Sequence, residues 1–344
     1  METGQSQNRG NAILAATQPE AAGVFKHVES SLLALDAEQV AAALPYDQLI
    51  DALAVAFRAD IEVPLRAQHE VALPDGDPAT LLLMPAWKSG GSMAVKVATV
   101  FPGNAAQGLP AVFASYILMS AETGVPVAVL DGTELTLRRT AAASALASSY
   151  LSKKDSSRLL MVGTGNLAPH LIAAHATARP ITDVCIWGRR REAAEKLAGW
   201  LATSSFEIRV SENLEQAVGE ADIISCATLA SEPLVSGKWL QPGQHLDLVG
   251  AYRPDMREAD SETVRRAEVY VDTRAGALSE AGDIVLAIND GSIREADIRG
   301  ELSELVKGSV VGRTSVEAIT LFKSVGTAIE DLAAAELVLR NHHS

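Results

Sequence analysis

From Pro45 the segment Tyr46-Asp47-Gln48-Leu49-Ile50-Asp51-Ala52-Leu53-Ala54-Val55-Ala56-Phe57 sets Ile50, Leu53 and Phe57 on one face at helical spacing, which predicts an amphipathic helix. The period then changes. Strand-like runs follow at about 61–72, 80–85, 93–101 and 125–130, separated by Pro74-Asp75-Gly76-Asp77-Pro78, Gly90-Gly91 and Asp131-Gly132. Asp131-Gly132 reads as a tight turn leading into Thr133-Glu134-Leu135. Strands that succeed one another through short turns imply an antiparallel or mixed sheet, so this half is expected to be one α+β unit. An Ala/Ser-rich helix is expected from Thr140 to about Leu151, and the polar stretch 152–157 marks a domain boundary.

Beyond the boundary the pattern alternates. Short apolar runs at 159–162, 184–187, 206–210, 223–226, 245–249 and 269–271 are spaced by helical segments, the signature of βαβ units and a parallel sheet. A last helix, from Gly326 to about Arg340, carries Ile329, Leu332, Ala333 and Leu337 on one face and is expected to fold back on the first half. The fold class is therefore α/β: a Rossmann-type doubly wound parallel sheet plus an α+β domain. The expected divisions are a flexible leader at 1–28, a first domain at 29–151 completed by 326–344, and a nucleotide-binding domain at 152–325.

Composition narrows the functions open to such a chain. A formal charge of −14 over 344 residues argues against a general nucleic-acid binder, although one local cluster of arginines suffices for an anionic cofactor. The 2 cysteines, Cys185 and Cys226, lie inside apolar runs, which fits a reducing compartment and not a disulfide framework. The polar N-terminal stretch lacks the order of a signal peptide, and no run reaches the roughly 18 apolar residues of a membrane span. The expectation is a cytoplasmic protein without membrane or nucleic-acid partners. Neither metal spacing, a P-loop nor a Gly-x-Ser-x-Gly elbow occurs.

Gly163-Thr164-Gly165-Asn166-Leu167-Ala168 follows an apolar strand and opens a helix running to about Ala178. The first glycine permits the tight turn, the second lets backbone approach a pyrophosphate, and the small third residue lets helix and strand pack closely. The pyrophosphate would sit on free N–H groups at the positive end of that helix. The next strand ends at Gly188-Arg189-Arg190-Arg191, where an NAD-preferring site usually places a carboxylate. Arginines there match a 2′-phosphate, so NADPH is expected, with NADH weaker and with Arg189 and Arg190 as the contacts.

Lys96 sits in Met93-Ala94-Val95-Lys96-Val97-Ala98-Thr99-Val100-Phe101, a strand apolar on both faces. Two readings stand: a buried functional ammonium, or an edge-strand lysine that reaches water. Arg139 is expected at the start of the small-residue helix, where a cation opposes the helix dipole unless it shares a bound anion with the free N–H groups. Arg66 is placed mid-strand. His170 and His175 read as surface or packing residues. The chemistry left standing is hydride transfer to a small anion held by cations.

Several strings together resemble one family: Lys96-Val97 with Phe101-Pro102-Gly103-Asn104, Leu137-Arg138-Arg139-Thr140-Ala141-Ala142, Gly163-Thr164-Gly165-Asn166, Val249-Gly250-Ala251, and Ile319-Thr320-Leu321-Phe322-Lys323-Ser324-Val325-Gly326. They occur in consistent order from about 45 to 335 and are similar to the ornithine cyclodeaminase/mu-crystallin family. The resemblance implies a homodimer whose first domain binds substrate and makes the dimer contacts. It implies Arg66, Lys96 and Arg139 as substrate-carboxylate and active-site cations, with Arg139 also close to the cofactor. It assigns Gly165, Asn166, Arg189, Thr228, Val249 and Ser324 to the cofactor site, to which Gly163, Thr164, Leu167, Arg190, Cys226 and Gly250 are added as expected contacts.

One departure bears on activity. Cyclodeaminases of the family carry an aspartate where this chain has Tyr252, after Val249-Gly250-Ala251. The string resembles the ketimine reductase branch, which implies NADPH-dependent reduction of Δ1-pyrroline-2-carboxylate and Δ1-piperideine-2-carboxylate to L-proline and L-pipecolate. Tyr252 would then shape the pocket or relay a proton, and Lys96 would bind the carboxylate or supply the proton. Cyclodeaminase, alanine dehydrogenase and a non-catalytic NADPH-dependent ligand binder are the rival expectations.

Overall fold

The computed structural model describes residues 32–74, 78–202 and 205–342, so the expected leader lies outside the described residues. Strands β1 (Leu33–Leu35), β2 (Ala67–Val71), β3 (Ala79–Trp87), β4 (Ser92–Val100), β5 (Val112–Ser120) and β6 (Pro126–Asp131) form a mixed sheet in the order β1-β6-β5-β4-β3-β2. Only β1 and β6 are parallel neighbours; the other pairs are antiparallel. Helices α1 (Ala37–Ala43), α2 (Tyr46–Ala56) and α3 (Gly132–Leu151) share a core with the inward residues Met84, Ala86, Ala94, Tyr116 and Leu118. The opposite face, with Leu83, Val95, Val97, Ile117 and Met119, is only half-buried.

The structure corrects the sequence reading at three places here. β1 and β5 were not expected, although β5 is apolar on both faces. Asp131-Gly132 is not a turn between strands: Asp131 caps α3 by accepting the Glu134 N–H at 2.7 Å, and the helix starts at Gly132, eight residues ahead of the Thr140 expected. Glycine is required because a Cβ there would lie 2.7 Å from the Ala114 carbonyl carbon of β5. Arg66 immediately precedes β2 and is not inside a strand.

The second sheet is wholly parallel. It contains β7 (Arg158–Val162), β8 (Asp183–Trp187), β9 (Glu207–Val210), β10 (Ile223–Cys226), β11 (His245–Leu248), β12 (Glu268–Val271), β13 (Ile298–Glu301) and β14 (Thr320–Lys323), ordered β13-β12-β14-β11-β10-β7-β8-β9. The connections carry α4 (Leu167–Ala178), α5 (Arg191–Trp200), α6 (Leu214–Glu220), α7 (Ser261–Arg266), α8 (Arg274–Glu280), α9 (Gly282–Asn289) and α10 (Leu302–Lys307). From β7 the chain steps to β8 and β9 on one side, then returns to β10 on the other. The cleft beyond the carboxyl ends of β7 and β10 is therefore the switch point where such sheets bind nucleotides. β13 and β14 were not expected, being four residues each with charged residues inside them. Finally α11 (Ala328–His342) leaves this sheet and packs into the first core against α2 and α3. No helix among the described residues is long and apolar enough to cross a membrane.

Candidate active site

The glycine loop lies at the switch point. Gly163 has φ +124°, and a Cβ on it would stand 2.5 Å from the Ala227 carbonyl oxygen just beyond β10. This glycine therefore lets two strand ends approach. Gly165 faces open space, with no atom within 4 Å of its would-be Cβ. α4 begins at Leu167 after Asn166 with no side-chain cap, so its first turn keeps N–H groups for a ligand. Beside it a cavity of about 510 Å³ is bounded by Thr164, Gly165, Asn166, His170, Arg190 and Lys196. These residues fit a dinucleotide phosphate.

Of the expected arginines, Arg190 lines this cavity, Arg189 is exposed outside its lining, and Arg191 is paired with Glu195 and Glu212. Lys196 and His170 were missed. His170 accepts or shares a hydrogen bond with the Tyr46 hydroxyl at 2.8 Å and is half-buried, and nothing in the sequence separates Lys196 from an ordinary surface lysine.

Thr228, Val249, Gly250 and Ser324 gather at the carboxyl ends of β10, β11 and β14. Glu258 ties two of these ends together, accepting from the Thr228 N–H (2.6 Å), the Thr228 hydroxyl (2.8 Å) and the Gly250 N–H (2.7 Å). The N–H groups of Glu258 and Ala259 donate in turn to Asp283, whose carboxylate lies 3.2 Å from the Lys323 ammonium. The approach is close: a Cβ on Gly250 would be 2.0 Å from the Thr228 carbonyl oxygen. Ser324 is buried, and its hydroxyl has no partner among the described residues. Cys226 is sealed in the sheet core and burial holds its thiol well above the usual range, so it offers a ligand backbone only. Glu258, Asp283 and Lys323 were not singled out from sequence.

The candidate substrate cations lie across the cleft. Lys96 is on a central strand, not an edge, and is 3% exposed. Its ammonium reaches the Asp331 carboxylate at 2.8 and 3.0 Å and the Thr136 hydroxyl at 3.5 Å. Arg139 is not at a helix start; it lies two turns inside α3, is 4% exposed, and has carboxylates in place of the expected helix N–H groups. Its Nε donates to Asp331 at 2.8 Å and one terminal nitrogen to Glu330 at 2.5 Å. The other terminal nitrogen has no acceptor among the described residues. Arg66 donates to the Gly326 carbonyl at 3.1 Å and pairs with Glu280 at 3.0 Å.

Gly326 joins the two halves of this arrangement. It has φ +86°, and a Cβ there would stand 2.5 Å from the Arg139 guanidinium. A cavity of about 450 Å³ opens in front of it, bounded by Arg66, Met84, Thr273, Glu280, Gly326 and Ile329. Lys96 and Arg139 do not line this cavity; they lie behind Gly326. Tyr252 is 43% exposed on the loop after β11, and its hydroxyl has no partner among the described residues. Neither rôle expected of Tyr252 is tied to a contact.

Burial dominates the protonation of the cluster. It pushes the Lys96 ammonium down to about 8, aided by Arg139 and opposed by Asp331. Burial also works to raise Asp331, but Arg139 and Lys96 outweigh it and hold that carboxyl below its usual range. At Glu330 burial wins over Arg139 and pushes the carboxyl up to about 7. Asp331 and Glu330 were missed because α11 was read only for its apolar face. Glu330 lies seven residues before Leu337, on that same face, which was the available signal.

Residues 31–344 match the model of the ornithine cyclodeaminase/mu-crystallin family. The chain is 44% identical over 286 residues to Protein SAR DEFICIENT 4 of Arabidopsis thaliana, covering 81% of this chain and 86% of that one. It is 39% identical over 311 residues to the Δ1-pyrroline-2-carboxylate reductase of Colwellia psychrerythraea, covering 89% and 98%. Among solved structures it superposes on the Thermococcus litoralis Δ1-pyrroline-2-carboxylate reductase in complex with NADH and L-proline, with a TM-score of 0.86, 36% identity and 91% and 98% coverage. A Rossmann-type sheet, its glycine loop and a buried cation cluster across the cleft thus occur in a chain that belongs to the ornithine cyclodeaminase/mu-crystallin family.

Proposed function

We propose that this oxidoreductase uses NADPH to reduce the cyclic 2-imino acids Δ1-pyrroline-2-carboxylate and Δ1-piperideine-2-carboxylate to L-proline and L-pipecolate. One observation carries the reading: Arg139 is buried with one guanidinium nitrogen that has no acceptor among the described residues, and it shares Asp331 with Lys96 behind the glycine that Arg66 holds. A fixed guanidinium donor without an acceptor in a low-dielectric cleft suits a small carboxylate. The likeness to a reductase solved with NADH and L-proline supports the same substrate class.

When bound, the nicotinamide supplies the hydride that the C=N carbon accepts. The chain's residues orient that carbon. Arg66 and Arg139 grip the carboxylate, and the positive field of Lys96 turns the protonated imine nitrogen away from the cation cluster. Hydride addition to the protonated imine leaves a secondary amine, which then takes a proton from solvent. Thr228, Val249, Gly250 and Ser324, held by Glu258, would bound the nicotinamide end of the site. Arg190 and Lys196 would contact the 2′-phosphate, which supports NADPH over NADH. The half-buried apolar face of the first sheet supports a homodimer formed through that face.

The test is the absorbance of the reduced cofactor during incubation with each imine. Consumption with either five- or six-membered ring supports the proposal, and unchanged absorbance with both ends it.

A further inference from the structure

We infer that holding the substrate carboxylate drives a proton onto Glu330, making this residue the site's releasable counter-ion. The inference rests on the carboxylate-binding reading above and deepens it. Three cations are gathered here: Arg66 ahead of β2, which lines the cavity, and Lys96 on β4 and Arg139 on α3 behind Gly326. Four carboxylates already face them: Glu280 on α8, Asp272 after β12, and Glu330 and Asp331 on α11. The buried Tyr116 hydroxyl on β5 adds no charge in its neutral form. Negative charges thus already exceed positive ones by one, and the carboxylate of a ligand whose nitrogen is uncharged, such as pyrrole-2-carboxylate, raises the excess to two, which protein interiors resolve by protonation.

The hydrogen bonds say which carboxyl yields. Asp331 takes donors from both Lys96 and Arg139. Asp272 accepts backbone N–H groups from Thr273, Val325 and Gly326 at 2.7–2.8 Å. Glu280 keeps its Arg66 partner with its side chain 27% exposed. Glu330 alone of the four is buried with a single donor, and its Oε1 has no partner at all among the described residues. Protonated, that orphan oxygen becomes an O–H donor, and Arg139 is freed to turn its fork to the incoming carboxylate. The ordering of protonation agrees, since burial already holds Glu330 up to about 7.

The experiment is calorimetric titration of pyrrole-2-carboxylate, whose ring nitrogen does not titrate, into the protein loaded with NADP+. Pairs of buffers with different ionisation heats count the protons taken up. At about pH 7.5 the wild type is expected to take up a large fraction of a proton per ligand, most of it onto Glu330 and the rest onto Lys96. At about pH 6, where Glu330 already holds its proton, uptake falls roughly tenfold. Glu330→Gln lowers the uptake at about pH 7.5 roughly fourfold, whereas Glu295→Gln, exposed and outside the lining of that cavity, leaves it near the wild-type count. A merely structural Glu330 would change stability and not the proton count.

Binding without uptake in the wild type, uptake that persists at the lower pH, or a wild-type count in Glu330→Gln would each overturn the inference alone. The wild-type pH series decides even where the variant fails to fold. A protein that binds neither pyrrole-2-carboxylate nor L-proline would overturn the proposed function together with it.

Discussion

Lys96→Met should make this protein more stable while disabling it. The variant keeps the length and apolar stem of the side chain and removes only the charged head. The fall of the Lys96 pKa from 10.5 to about 8 corresponds to roughly 3 kcal/mol by which the folded state disfavours the ammonium at neutral pH. Because the unfolded chain binds the proton more tightly, this penalty is full below about pH 8 and is relieved as pH rises towards 10.5. The variant should therefore gain up to about 3 kcal/mol at neutral pH, and its advantage should close in alkali. Asp331 keeps its bond from Arg139 in the variant, so no carboxylate is orphaned. Turnover should fall about 100- to 1000-fold in kcat/KM, with cofactor affinity unchanged, through loss of the buried positive charge that orients the imine. Urea unfolding followed by tryptophan fluorescence at two pH values, beside steady-state kinetics, reads both quantities. A variant less stable than wild type at neutral pH would show that the Lys96–Asp331 pair holds the fold together, and near-normal turnover would remove Lys96 from the mechanism.

Other consequences are simpler to measure. In the wild type kcat/KM should decline as pH rises through about 8, the point where Lys96 sheds its proton; a flat profile across that point refutes a need for the ammonium. Arg190→Ala and Arg189→Asp should each weaken NADPH relative to NADH, and if Arg190 is the phosphate contact its change should be the larger, about tenfold or more. Equal cofactor constants in both variants would displace the phosphate from this cavity. Gly163→Ala puts a methyl 2.5 Å from the Ala227 carbonyl at a φ of +124°, so nucleotide affinity measured by fluorescence should drop sharply, with destabilisation of about 1–3 kcal/mol. Unaltered affinity would show that the two strand ends can part at no cost.

The second sheet was the more legible half because its strands are continuous apolar runs between helices, with the glycine loop as a fixed landmark. What escaped there, β13 and β14, are strands of four residues whose charged side chains break the apolar pattern. Lys323 in β14 is fully buried only because Asp283, forty residues earlier, meets it. In the first half Asp131-Gly132 misled, since the same pair serves a hairpin turn or a capped helix against a neighbouring backbone. That single error put Arg139 at a helix terminus and suggested helix N–H groups as its co-ligands. The cations themselves were recognisable as charges out of place, whereas their partners Glu330 and Asp331 were not. Which carboxylate meets which cation is decided by tertiary contacts almost two hundred residues apart, and no local period reports them.

Synthesis order gives α11 one more significance. The first core is begun by residues 33–151 but closed by residues 328–339, after the entire parallel sheet has been made. A nascent chain emerging from the ribosome therefore holds Lys96 and Arg139 without the Glu330 and Asp331 carboxylates until α11 arrives, reversing the usual N-terminal-first completion of domains. Prematurely terminated chains would carry an open apolar core lined with two cations lacking those carboxylates, a state that proteases and chaperones distinguish readily from the finished enzyme.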